Sequence, residues 1–197
     1  MNIQKQLLLD DNWARLRRSC NVKSPITLNE ANVLKIIQEG RPSLPVACYL
    51  LGEIGTSLSL PVLRELAVGK TRDVSCSAIL ALAKIGDSNE IPLFEDLLIN
   101  GGSLTAEYAM VALSKRGTAN ELSSVCKFGL KLIEKLKTPQ NWDFPSGLLL
   151  AIQFASRYVG TNTADELLAI FEFRKSSIMW RVEIDWVEQN WGLPDLD

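Results

Sequence analysis

Catalysis needs side chains that can shuttle protons, attack an electrophile or hold a metal, and this chain of 197 residues is short of them. Histidine is absent altogether. Its absence removes the commonest general base, the Ser-His and Cys-His nucleophile pairs, and most zinc and iron sites. Paired carboxylates can work without histidine, but Asp10 with Asp11 and Glu95 with Asp96 are sequence neighbours. On a helix such neighbours splay roughly 100° apart instead of converging on one substrate. Glu183 and Asp185 fare no better. Gly101 and Gly102 open a loop before a helical pattern, yet they lack both the lysine of a phosphate loop and the spacing of a dinucleotide-binding turn. The four cysteines, Cys20, Cys48, Cys76 and Cys126, lie far apart among apolar residues with no C-x-x-C pair, which is the pattern of buried free thiols. No catalytic residue, cofactor site or metal site is expected.

What remains is the chemistry of contact. Lys127, Lys131 and Lys135 recur every fourth residue, so on a helix they form one basic stripe. With Lys137 it could meet an acidic partner, and it equally suits a solvated face with Glu134 beside it. Trp142 and Phe144 sit in a segment made irregular by Pro139, Pro145 and Gly147. Large aromatics on such a loop anchor partners or fold back as a lid over helix ends. Trp180, Trp186 and Trp191 crowd the C-terminal stretch, more aromatic surface than one closing helix needs.

The elements that must position these residues follow from a repeat. Gly55, Gly86 and Gly117 are 31 residues apart, and aligning them superposes PVACYLLGEIG, CSAILALAKIG and EYAMVALSKRG. Leu60, Ile91 and Leu122 then fall in register, with Pro61 and Pro92 one position later. Each unit reads as helix, glycine turn, helix, with Ala47, Ala78 and Ala109 and then Leu51, Leu82 and Leu113 on one face of the first helix. The glycine is expected at positive φ as a helix C-terminal residue, and proline in the first turn of the second helix. In the second helices Leu60, Leu63, Leu66 and Ala67, and Ile91, Phe94, Leu97 and Leu98, make core faces. The opposite faces hold Arg64, Glu65, Glu95 and Asp96, continued by Ser124, Lys127 and Lys131.

SAILALAKIGDSNEIPLFEDLL, the cleanest unit, resembles the HEAT repeats, in particular the short bacterial type also called phycobilin-lyase-like, with its A-x-x-A-L-x-x-I-G…L-x-x-L pattern. The resemblance is strong over residues 45–99, fair to 137 and weak elsewhere. It implies an all-α fold, an α/α superhelical solenoid of about four to five helix pairs, with the second helices lining a concave face. A concave row from Arg64 to Lys131 and the aromatic C-terminal half would then grip a partner. The family implies no single activity.

The ends are less regular. Thr27 and Glu30 have capping-box spacing ahead of an apolar run that stops at Gly40, so residues 3–18 and 28–39 are expected to form an atypical first pair. A fourth unit begins at FPSGLLLAIQFASRYVG, its Gly160 lying 43 residues after Gly117. SSIMWRVEIDWVEQNWG reads as a last helix capped at Ser176 or Ser177. One domain over 1–197 is expected, divided into an N-terminal pair (1–41), core repeats (45–137), an irregular loop (138–147) and a C-terminal repeat with its closing helix (148–197).

The bulk numbers narrow the partner. Lys and Arg total 21 against 23 Asp and Glu, so there is no global positive field to hold nucleic acid or an anionic membrane. The first 41 residues carry seven basic and four acidic side chains, and residues 165–197 carry three and eight. Only Arg15, Arg17, Arg18 and the lysine stripe argue locally for nucleic acid. No apolar run reaches the roughly 18 residues of a membrane span, and the N-terminal leucines are too few for a signal-peptide core, so a cytoplasmic protein is expected. The expected function is non-enzymatic: an adaptor or inhibitor gripping one protein through Arg64, Glu65, Glu95, Asp96, Lys127, Lys131, Trp142, Phe144 and Trp180. A small, acidic chain without histidine also suits an immunity protein that neutralises a bacterial toxin by complementary charge. The alternatives are a phycobilin lyase or another enzyme on this fold, and a peripheral nucleic-acid binder. DNA glycosylases of similar fold need a basic cleft, and iron hydroxylases need histidines.

Overall fold

The computed structural model describes residues 3–20, 26–39, 43–139 and 147–190. Among them the chain is all-helical, with no strand. In order the helices are α1 (Ile3–Ser19), α2 (Glu30–Glu39), α3 (Leu44–Ile54), α4 (Leu60–Ala67), α5 (Arg72–Ile85), α6 (Ile91–Asn100), α7 (Ser103–Arg116), α8 (Leu122–Lys135), α9 (Gly147–Ser156), α10 (Asn162–Ile178) and α11 (Arg181–Asn190). Short 3-10 turns at Ser57–Ser59, Ser88–Glu90 and Ala119–Glu121 lead into α4, α6 and α8. They share the 31-residue register of the sequence, which did not announce them.

The glycines at the joints differ from expectation. Gly55, Gly86 and Gly117 have φ between −69° and −73° with ψ from 156° to 176°, an extended conformation open to any residue. Space, not φ, demands glycine here. Each glycine N–H closes on the carbonyl four residues back, at 2.7–2.8 Å, and that closure leaves no room for a side chain. A Cβ on Gly86 would stand 2.6 Å from the Leu82 carbonyl oxygen and 2.5 Å from Glu90 Cγ; on Gly117 it would stand 2.7 Å from the Leu113 oxygen and 3.0 Å from the Phe154 ring. Positive φ belongs to the fourth joint, where Gly160 has φ 95° and open space around it. Its N–H donates to Asp165 Oδ1 at 3.0 Å.

The chain forms two compact units, one up to Glu90 and one from Ile91 on. In the first, α3 packs against α1, α2 and α5, and α5 also against α4. Ala47, Leu51, Ala78 and Leu82 are fully buried, each leucine contributing roughly 1.5–3 kcal/mol. Gly52 lets α3 and α5 touch, since a Cβ there would come within 3.1 Å of the Ala81 backbone. Trp13 in α1 is buried, and its indole N–H donates to the Ile26 carbonyl at 3.2 Å.

The second unit follows the same logic. α7 lies between α6 and α9, and α8 has α6, α9 and α10 as neighbours. Ala109 and Leu113 of α7 are fully buried. Gly129 brings α8 close to α9 and α10, its missing Cβ leaving 3.1 Å to the Leu167 methyls and 3.4 Å to Ala151. Arg157 caps the end of α7 by donating to the Ser114 carbonyl at 2.8 Å, and Arg174 reaches the Leu136 carbonyl just beyond α8 at 2.9 Å.

Two expected caps are corrected. The capping box at Thr27 does not form: α2 starts at Glu30, Asn29 Oδ1 accepts from the Asn32 N–H at 2.9 Å, and the Glu30 carboxylate turns away to another partner described below. Ser176 and Ser177 do not start the last helix either. They complete α10, where Ser177 Oγ bonds back to the Arg174 carbonyl at 2.7 Å. The break falls at Met179 and Trp180, and α11 is capped by Glu183, whose carboxylate accepts from the Trp180 N–H at 2.8 Å. The expected stop at Gly40 lies outside the described residues.

If space sets the joints, Gly86→Ala and Gly86→Asn should both cost about 1–3 kcal/mol, whereas at Gly160 asparagine should recover most of what alanine loses, because it tolerates positive φ. Urea midpoints of the four variants test this. Relief by asparagine at Gly86 would return the joint to a left-handed explanation.

Candidate functional site

One register position carries a buried polar side chain in every core repeat: Ser59, Glu90 and Glu121, none more than 7% exposed. The backbone just after each joint glycine has an unsatisfied N–H that wants an acceptor. In the third repeat Glu121 supplies it, accepting from the Thr118 N–H at 2.7 Å and the Thr118 hydroxyl at 3.0 Å. Where the first repeat has Ser59 instead, Glu30 of α2 brings a carboxylate to the equivalent place. It accepts from the Thr56 N–H at 2.8 Å, the Thr56 hydroxyl at 2.9 Å and the Ser59 hydroxyl at 2.5 Å. In the second repeat Glu90 faces Arg64 of α4, which bonds it through Nε at 2.8 Å and Nη2 at 2.5 Å.

These contacts sort the expected row of partner-binding residues. Arg64 and Glu95 occupy one register position, and both spend their charge within the fold: Arg64 on Glu90, and Glu95 of α6 as acceptor for Ser124 of α8. The next position, Glu65, Asp96 and Lys127, is exposed in all three repeats. None of those three makes an ion pair among the described residues, and Asp96 only accepts from Asn100 of its own helix. Lys131 and Lys135 are likewise exposed and unpaired. Three positions further on stand Val68, 59% exposed, Ile99, 55% exposed, and half-buried Leu130. In each repeat an apolar side chain thus follows the charged one by one helical turn, a pairing that went unnoticed in the sequence although the 31-residue spacing fixes it.

Trp180 is 51% exposed at the start of α11, next to Val182 at 73%. Met179 and Ile184 are buried. Trp142 and Phe144 lie outside the described residues, as do Trp191 and the Trp186 side chain. Among the described residues the most exposed large aromatic is Phe173 of α10, at 86%. It was readable in principle: Ala164, Leu167 and Phe171 fix the buried side of α10, and Phe173 falls opposite. The thiols of Cys48, Cys76 and Cys126 are buried and free, while Cys20 is only half-buried. Burial pushes Cys48 up to about 12 and Cys126 to about 11, which suppresses thiolate reactivity. Among the described residues no group of three candidate ligands could hold a metal, and no helix is long and apolar enough to cross a membrane.

Beside α3 and α5, the Glu53 carboxylate receives Lys5 of α1 at 2.7 Å and Lys84 of α5. Lys84 also lies over the Tyr49 ring at 5.6 Å. Burial opposes the charge on Glu53, but the two lysines outweigh it and hold the carboxyl below its usual value. Glu30 is lowered as well, its burial overcome by the bonds from Ser59 and Thr56. A carboxyl lowered by folding stabilises the fold above its unfolded value, near about 4.3, and that contribution is lost as pH falls through the folded value. The urea midpoint should therefore hold from neutrality to about pH 5 and fall below it, and a Glu30→Gln/Glu53→Gln chain should start lower and fall less steeply. An acid limb unchanged in that variant would contradict the assignment. No family model, curated protein or solved structure matches the chain.

Proposed function

We propose that this chain is a non-catalytic HEAT-like solenoid whose exposed second-helix faces grip one protein partner, as an adaptor or inhibitor. The observation that carries the reading is the split between neighbouring register positions. Arg64, itself exposed, and half-buried Glu95 are engaged by other side chains of the fold, while Glu65, Asp96 and Lys127 stand exposed without ion pairs among the described residues, Glu65 one turn from exposed Val68 and Asp96 one turn from exposed Ile99. Charge of both signs next to apolar side chains is the composition of a protein interface: apolar area supplies affinity and charge supplies register. Nucleic acid is served less well, since that register position is cationic in one repeat and anionic in two. Toxin neutralisation is the narrowest form of the inhibitor reading.

A photo-crosslinking side chain placed at Asp96 or Lys127 in the native host should yield a discrete protein adduct, and one placed at Leu80 or Lys115 on the first helices should not. Equal labelling from both sets, or none from the second helices, would overturn the proposal.

A further inference from the structure

Two contacts fix how α8 and α10 lie together. Gly129 sits against Leu167, and Arg174 donates to the Leu136 carbonyl. The residue offset is 38 in both, so the two helices run parallel and in step. Lys131 is then level with Ala169, and Lys135 with Phe173.

The faces follow from helical spacing. Leu167 and Arg174 look toward α8, and Ile170 lies between them on the same stripe, 37% exposed. Phe173 stands one step further toward solvent. Across from them on α8, Lys127, half-buried Leu130, Lys131 and Glu134 make one outward face, with Lys135 at its end. Leu130, Ile170 and Phe173 thus form an apolar strip, and Ile99 of the neighbouring α6 extends it in the register of Leu130. Lys127, Lys131 and Lys135, without ion pairs among the described residues, flank the strip on the α8 side. The acidic groups facing it are Glu134 and Glu166, both exposed.

We infer that this strip takes an acidic amphipathic segment of a partner protein, its apolar side chains against Ile170 and Phe173 and its carboxylates toward Lys127, Lys131 and Lys135. The inference rests on the protein-binding reading and names the chemistry of the partner. A side chain as exposed as Phe173 recovers burial only under an apolar group. Three lysines without ion pairs among the described residues favour carboxylates on whatever covers it. An anionic lipid surface fits less well, because a flat bilayer broad enough to cover the strip would also meet Asp165, exposed further round α10, whereas a single segment lying along the strip would not.

The test is titration of the full chain into a labelled helical peptide built from glutamate, leucine and phenylalanine, followed by fluorescence anisotropy. Saturable binding is expected, weakened about tenfold by Phe173→Ser and by Lys131→Glu and untouched by Lys115→Glu on α7. Polyglutamate and a lysine-for-glutamate version of the peptide should bind at least about tenfold more weakly. All three substitutions are at exposed positions, and far-UV circular dichroism checks that each variant is folded. Binding indifferent to Phe173→Ser and Lys131→Glu, polyglutamate binding as well as the amphipathic peptide, or retention on phosphatidylserine vesicles without peptide binding would each overturn the inference. A chain that still forms its adduct from Asp96 and Lys127 while ignoring the peptide keeps the protein-binding reading and loses only this one.

Discussion

The closed joint after each first helix governs the rest of the structure. A glycine N–H takes the carbonyl four residues back, the chain leaves in extended conformation, and the next residues must find acceptors for N–H groups that no helix supplies. With a side chain at the joint, the carbonyl could not be approached and the 3-10 turn that starts the second helix would be displaced. The joint therefore dictates the need for an acceptor at its base.

That need explains the mixture of polar groups in an otherwise apolar interior. Glu121 satisfies its own repeat, Glu90 is joined by Arg64 of α4, and Ser59 borrows Glu30 from α2. Each solution uses a buried or half-buried carboxylate with several donors, the condition under which burying charge is tolerable. The borrowed and bridged versions also link segments within the first unit, α2 to the turn before α4 through Glu30 and α4 to the turn after α5 through Arg64. Polar residues one position further round have no such duty. They are left facing solvent, Glu65 near Val68 and Asp96 near Ile99, and their types can vary without disturbing the joints.

The sequence was explicit where a side chain's type and spacing decide its place. The helices from α3 to α8, the buried Ala47, Ala78 and Ala109, the prolines opening α4 and α6, and the buried thiols of Cys48, Cys76 and Cys126 all follow from periodicity. It misled where two explanations share one residue. A glycine at a helix end suits positive φ or tight approach, and the first holds at Gly160 while the second holds at Gly55, Gly86 and Gly117. Thr27 and Glu30 have capping spacing, yet Glu30 is more useful to Thr56, 26 residues away. Of the residues expected to meet a partner, Arg64 and Glu95 could not be recognised as internal struts, because their bonds cross from one helix pair to the next. Phe173 escaped notice because an aromatic in a helical apolar pattern reads as core until its neighbours fix the face.

The account turns on the exposed faces of the second helices being the working surface. Methyl nuclear magnetic resonance of the chain, free and bound to its captured partner, reads this directly. The account predicts that Val68, Ile99, Leu130 and Ile170 signals move on binding while Leu80 on α5 stays in place. Shifts confined to Leu80 and other first-helix methyls would contradict it.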